Sequence, residues 1–172
     1  YLNCNYKLAE AYYSEYLNLN SGDATAWANT AICQLRLGKK ELSVASAQKA
    51  MQFASKSARI YKQASIIFDA CNLRDQSEKA AKSAIEFGKK DSITLTLLGI
   101  AQFERNEIQE SVKTLQDAIN QNPNNLRARF IYAKVLKVLG QTDTAKQHFE
   151  EILWTQTESP LKEKARIELL EF

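Results

Sequence analysis

Apolar and small residues recur along the chain at helical spacing, and one arrangement of them returns every 34 residues. Between Leu95 and Pro123 an apolar run through Leu97, Gly99 and Ile100 predicts a first helix. A turn near Asn106 follows, then a second helix carrying Ser111, Leu115 and Ala118, then the proline. The small position of the first helix reads Ala31, Ser65, Gly99 and Ala133; the early small position of the second reads Ser43, Ser77, Ser111 and Ala145. The late position reads Ala50, Ala84, Ala118 and then Ile152. Between the helices stand Gly38, Asn72, Asn106 and Gly140, residue types that tolerate the left-handed backbone ending a helix. Asp23, Ser57, Asp91, Asn125 and Ser159 form an independent series at the same interval, each an N-cap type placed just before a helical pattern. Pro160 then falls at a first helical position, where the missing N–H costs nothing.

Small residues at three places per unit answer a packing need. Two antiparallel helices and the first helix of the next unit approach to about 8–10 Å between axes, which bulky contacts would prevent. Each unit leaves an apolar face that its neighbour covers. The chain has 5 glycines and 2 prolines in 172 residues, too few turn formers for hairpins and strands, so the expected class is all-α. Residues 24–57, 58–91, 92–125 and 126–159 are predicted as four repeats in one solenoid domain. Residues 1–22 are predicted as the second helix of an earlier, truncated unit, with Ala9, Tyr13 and Leu17 on one face. Residues 160–172 are predicted as a capping helix whose stripe Leu161, Ala165, Leu169 and Phe172 covers the last unit.

The stretches Trp27…Ala31…Gly38…Ser43…Ala50, Leu98-Gly99…Ser111…Ala118…Pro123 and Tyr132-Ala133…Gly140…Ala145…Phe149 resemble the tetratricopeptide repeat. The likeness covers residues 24 to 159 and is loosest from Ala58 to Lys90, where Ser65 and Asn72 replace the usual small residue and glycine. It implies a right-handed superhelical solenoid of antiparallel helix pairs, and a protein-binding role. Trp27 takes the place of a packing aromatic, and Trp154, late in a second helix, is expected against the terminal helix.

Composition adds exclusions. A net charge of +3 gives no electrostatic case for nucleic acid. An RNA-reading helical repeat would want a 35-residue period and repeated base-reading positions, and neither is present. No run approaches the roughly 18 apolar residues of a membrane span. Cys4, Cys33 and Cys71 form neither a disulfide framework nor a zinc site and read as free thiols. The single histidine, His148, falls on the outer side in the repeat frame and reads as a surface residue rather than a general base. No nucleophile, phosphate-loop or metal motif is present, so no catalytic residue, metal or cofactor is expected and the chain reads as non-enzymatic. It opens Tyr1-Leu2-Asn3-Cys4, with neither an initiator Met nor a signal pattern, and reads as a piece of something longer; localisation stays open.

By the resemblance, first helices line a concave groove. On that frame the groove presents Asn29 in the first unit, Arg59, Lys62, Gln63 and Ile66 in the second, Leu97 and Ile100 in the third, and Arg127, Phe130, Lys134 and Lys137 in the fourth. An apolar centre flanked by cations, with only Asp69 intruding as a carboxylate, suits a protein segment with apolar anchors and acidic residues. The carboxylate clamp of chaperone-tail binders survives only in fragments, since its matching positions hold Ala28, Ile32, Gln63, Ile93 and Leu97. The other reading is a structural module whose groove is filled by its own flanking segments or by a second copy, as in a homodimer. In it, part of the apolar surface packs between adjacent first helices.

Overall fold

The computed structural model describes residues 2–156 and 158–172, with side chains from residue 5 onward. Among these there are ten helices and no strand. They are α1 (Leu2–Leu19), α2 (Ala24–Arg36), α3 (Lys40–Gln52), α4 (Ala58–Ala70), α5 (Arg74–Glu86), α6 (Ser92–Glu104), α7 (Ile108–Gln121), α8 (Leu126–Val138), α9 (Thr142–Leu153) and α10 (Pro160–Leu169). The chain is all-α with a 34-residue helix-pair repeat, and it divides into two compact units, Tyr1–Lys90 and Asp91–Phe172.

The predicted punctuation is visible in the backbone. Gly38, Asn72, Asn106 and Gly140 all take positive φ, at 77°, 61°, 62° and 75°, and each ends the first helix of a pair. Asp23, Asp91, Asn125 and Ser159 accept amide protons from the first turns of α2, α6, α8 and α10; Asp91 closes a capping box with Thr94. Ser57 departs from the series. Its backbone is extended as a cap requires, but its side chain makes no capping bond, and its amide closes a turn onto the Ala54 carbonyl at 2.8 Å.

In the first unit α1 packs on α2, α3 packs on both α2 and α4, and α2 lies beside α4. Ala31, Ala47, Ala64, Ile67, Phe68 and Ala80 form one cluster; Ala28, Ala50, Ala54 and Ile60 form another, against which Trp27 packs. Ser43 and Ser77 donate to the carbonyls of Ala31 and Ser65 at 2.7 and 2.9 Å, tying each second helix to its first. In the second unit Ser111 repeats that bond onto Gly99 at 2.8 Å. Asn125, besides capping α8, donates to the Ser92 and Thr96 hydroxyls of α6 at 2.8 and 3.0 Å, which joins successive repeats. Phe130, Ala133, Phe149, Ile152 and Ala165 close the far core, with Leu161, Leu169 and Phe172 of the C-terminal segment packed on it.

Two expectations change, and the free-thiol reading holds for the two cysteines whose side chains are described. Trp154 does not meet the terminal helix: it is 84% exposed, because it is the C-cap of α9 and lies beyond the helix's last buried position, Ile152. His148 is not on the outer surface. Its ring stacks edge-on against Tyr132 at 5.1 Å, and Nδ1 accepts from Arg129 at 3.2 Å, since its turn of α9 faces α8. Cys33 is buried and Cys71 half-buried, both as free thiols whose burial raises their pKa, whereas the Cys4 side chain lies outside the described residues.

Candidate functional site

The residues expected to line a groove separate into three groups. Leu97, Ile100 and Phe130 are only 4%, 6% and 7% exposed, so this intended apolar centre belongs to the interior and offers a ligand no face. Phe130 packs edge-on to Phe149 at 5.6 Å within the α8–α9–α10 core. Large side chains on a first helix are drawn into its contacts with neighbouring helices, which bury more area than an open groove.

Lys134 and Lys137 are already engaged. Lys134 Nζ lies 3.3 Å from Glu168, and Lys137 lies 3.1 Å from Glu168 and 2.8 Å from Glu171. Lys137 also stands over the Phe172 ring, 4.8 Å from its centre. The hydrogen bond that Lys137 donates to Glu171 leads the effects that raise the Lys137 pKa. Carboxylates absent from the expected groove therefore arrive from the C-terminal segment, Glu168 from α10 and Glu171 from beyond its end. Spacing on α8 alone could not show this, because the partners stand some thirty residues away. Arg127, in the same unit, is exposed.

The remaining residues, Asn29, Arg59, Lys62, Gln63 and Ile66, fall in the first unit. There α2 presents Thr25, Asn29, Ile32 and Arg36 at intervals of four, three and four residues, one stripe about 16 Å long. Toward α4 the stripe opens into a recess of about 590 Å³ lined by Ile32, Leu35, Ile66, Ile67 and Ala70, with Arg36 and Gln63 as its polar members. Ile66 is 37% exposed, an open apolar contact. Gln63 Oε1 is buried without a hydrogen-bond partner, which a native interior tolerates only at a cost of about 1–3 kcal/mol. Arg36 and Arg59 have no carboxylate partner among the described residues, and Arg59 lies in the first turn of α4, about one turn before Gln63.

Toward α1 the same stripe opens into a second recess, of about 400 Å³, walled by Tyr12, Tyr13 and Tyr16 with Asp23 and Asn29. Helical spacing put Tyr13 on one face of α1 with Ala9 and Leu17, and gave Tyr12, Tyr16, Asp23 and Arg36 no recognition role. The signal available was the concentration of tyrosines in one helix, which periodicity alone assigns to packing.

Among the described residues no group of three or more metal-ligating side chains is gathered, and no helix is long and apolar enough to cross a membrane.

Comparison with known proteins agrees with the geometry. Models of the tetratricopeptide repeat match residues 4–58, 94–125 and 114–147. Residues 59–93, between these matches, contain most of the repeat that departs furthest from the pattern. No curated protein matches the chain in sequence at a significant level. Among solved structures, YrrB, a TPR protein with an unusual peptide-binding site, superposes with a TM-score of 0.68 at 21% identity, covering 82% of this chain and 73% of its own. MamA from Desulfovibrio magneticus RS-1 gives 0.75 at 14% identity, covering 86% and 84%. The Cut9–Hcn1 hetero-tetramer of APC/C gives 0.77 at 14% identity, covering 96% of this chain and 33% of the other. At these identities the likeness is one of fold.

Proposed function

Because this chain belongs to the tetratricopeptide repeat family, we propose that it is a non-enzymatic protein-interaction scaffold whose first unit receives a segment of a partner along α2. The observation that carries the reading is the recess between α2 and α4. It combines an exposed apolar anchor site at Ile66 with, among the described residues, a buried acceptor without a partner at Gln63 Oε1 and a cation without a carboxylate at Arg36. An extended segment advances about 3.3 Å per residue, so the α2 stripe accommodates about five residues. An apolar side chain between Ile32 and Ile66 would exclude water, a backbone N–H would satisfy Gln63, and an acidic group would meet Arg36. That YrrB has a peptide-binding site supports this reading by analogy of fold.

The second reading, a structural module filled by its own flank, is favoured in the second unit. There Glu168 and Glu171 hold Lys134 and Lys137, the cations a partner would otherwise use.

A display library of random linear peptides panned on the chain, with selected peptides measured by calorimetry, tests the assignment. Ligands with one apolar anchor and an acidic residue are expected, and Ile66→Glu and Arg36→Glu should each weaken them at least tenfold while circular dichroism stays unchanged. Ligands that bind both variants as well as the parent would move the site away from α2 and α4.

A further inference from the structure

We infer that the recess between α1 and α2 is a separate recognition site for a cationic side chain, an arginine or lysine presented by a protein partner.

Three tyrosine rings from one helix wall it: Tyr12, 63% exposed, Tyr16, 45% exposed, and half-buried Tyr13. The face of an aromatic ring is negative and attracts ammonium and guanidinium groups. The protein already makes this contact elsewhere, with Lys49 over the Trp27 ring at 4.3 Å and Lys146 over Phe172 at 5.1 Å. In the tyrosine recess the cation is missing but the acceptors are in place. Asp23 Oδ1 accepts from the amides of Thr25 and Ala26 at 2.8 and 3.0 Å, and among the described residues Oδ2 accepts only the Tyr16 hydroxyl, at 3.1 Å. The Ala26 amide leads the bonds that lower the Asp23 pKa, so the group is anionic at neutral pH. Asn29 spends its amide N–H on the Tyr13 hydroxyl at 3.1 Å, which leaves its carbonyl oxygen as a further acceptor. Among the described residues no Lys or Arg of the chain pairs with this carboxylate or stands over these rings.

Rings and a carboxylate with no cation paired to them among the described residues specify a cationic ligand. Arginine fits better than lysine, since a planar guanidinium stacks on a ring while its edge reaches a carboxylate. An apolar side chain would leave Asp23 facing hydrocarbon, and an anion would meet it in repulsion. The site stands independently of the α2–α4 recess, and its test does not involve Ile66 or Arg36.

The experiment is a titration of the chain with N-acetyl-arginine methylamide, N-acetyl-lysine methylamide and the neutral isostere N-acetyl-citrulline methylamide, followed by NMR. The ring signals of Tyr12, Tyr13 and Tyr16 and the amides of Thr25 and Asn29 are the reporters. Saturable shifts are expected with arginine, weaker ones with lysine and none with citrulline. Asp23→Asn keeps the helix cap and should cost about fivefold in affinity, the upper end of an exposed ion pair. Tyr12→Leu keeps the apolar wall and should weaken binding about threefold, whereas Tyr16→Phe, which frees Oδ2, should not weaken it. The inference is overturned if citrulline shifts the same signals as arginine, if no saturation appears by about 100 mM, a limit near 1.4 kcal/mol, or if Asp23→Asn and Tyr12→Leu bind like the parent.

Discussion

The Ser111 hydroxyl donates to the carbonyl of Gly99 across 2.8 Å, a bond that Ser43 and Ser77 repeat onto Ala31 and Ser65 in the earlier repeats. The fourth repeat has alanine at both places, Ala133 and Ala145, each fully buried. Removing the hydroxyl by Ser111→Ala should cost about 1 kcal/mol in denaturant unfolding. Ala145→Ser should be close to neutral if the repeat holds, since Ala133 stands 12 residues before it as Ala31, Ser65 and Gly99 stand before their serines. A loss above about 2 kcal/mol there would show that the bond depends on more than the repeat frame.

Gly99 is small for a reason that lies across the helix pair. A Cβ built on it would come within 2.6 Å of Leu115 Cγ and 2.8 Å of Cδ2, and Leu115 is fully buried. Gly99→Ala should destabilise by about 1–3 kcal/mol despite the better helix propensity of alanine. In the first unit the position of Leu115 is taken by Ala47 and Ala81, opposite Ala31 and Ser65. Combining Gly99→Ala with Leu115→Ala should therefore cost less than the sum of the two single changes, as measured by a double-mutant cycle.

His148 makes the second unit sensitive to acid. Burial, and then the neighbouring Arg129, hold its pKa below the ordinary value of 6.5. The folded state favours neutral imidazole, and as pH falls below 6.5 the unfolded chain takes up the proton first. Stability should decline from that point until the folded pKa is reached and then level off for this group. His148→Gln should flatten that part of a Tm-against-pH curve; an unchanged slope would assign the dependence to other groups.

Ile66 and Leu97 both stood as groove residues in the sequence frame, yet one is 37% and the other 4% exposed. Ile66→Glu should leave thermal stability within about 0.5 kcal/mol of the parent. Leu97→Glu should lower it by about 3 kcal/mol or more, since it buries a charge without a partner. Parallel melting curves separate the two.

The C-terminal helix is held to α8 partly by charge. Glu168→Gln removes a carboxylate that serves both Lys134 and Lys137, and amide exchange in α10 should quicken with a loss of about 0.5–1 kcal/mol. Raised salt should produce the same change in the parent and a smaller one in the variant.

The helices and their punctuation are legible in the amino-acid sequence. Positive φ at Gly38, Asn72, Asn106 and Gly140, and capping by Asp23, Asp91, Asn125 and Ser159, depend on contacts within a few residues, and local chemistry is written where it acts. The 34-residue period was equally legible, because close helix approach demands small residues at fixed intervals. Which faces stay exposed is set by packing between helices. Burial of Leu97 and Phe130, the capture of Lys137 by Glu171 and the meeting of Tyr16 with Asp23 each depend on how one helix is rotated against another. A shift of one residue turns a side chain through 100° on a helix, so a frame that places every helix correctly still leaves its exposed stripe to be settled by packing.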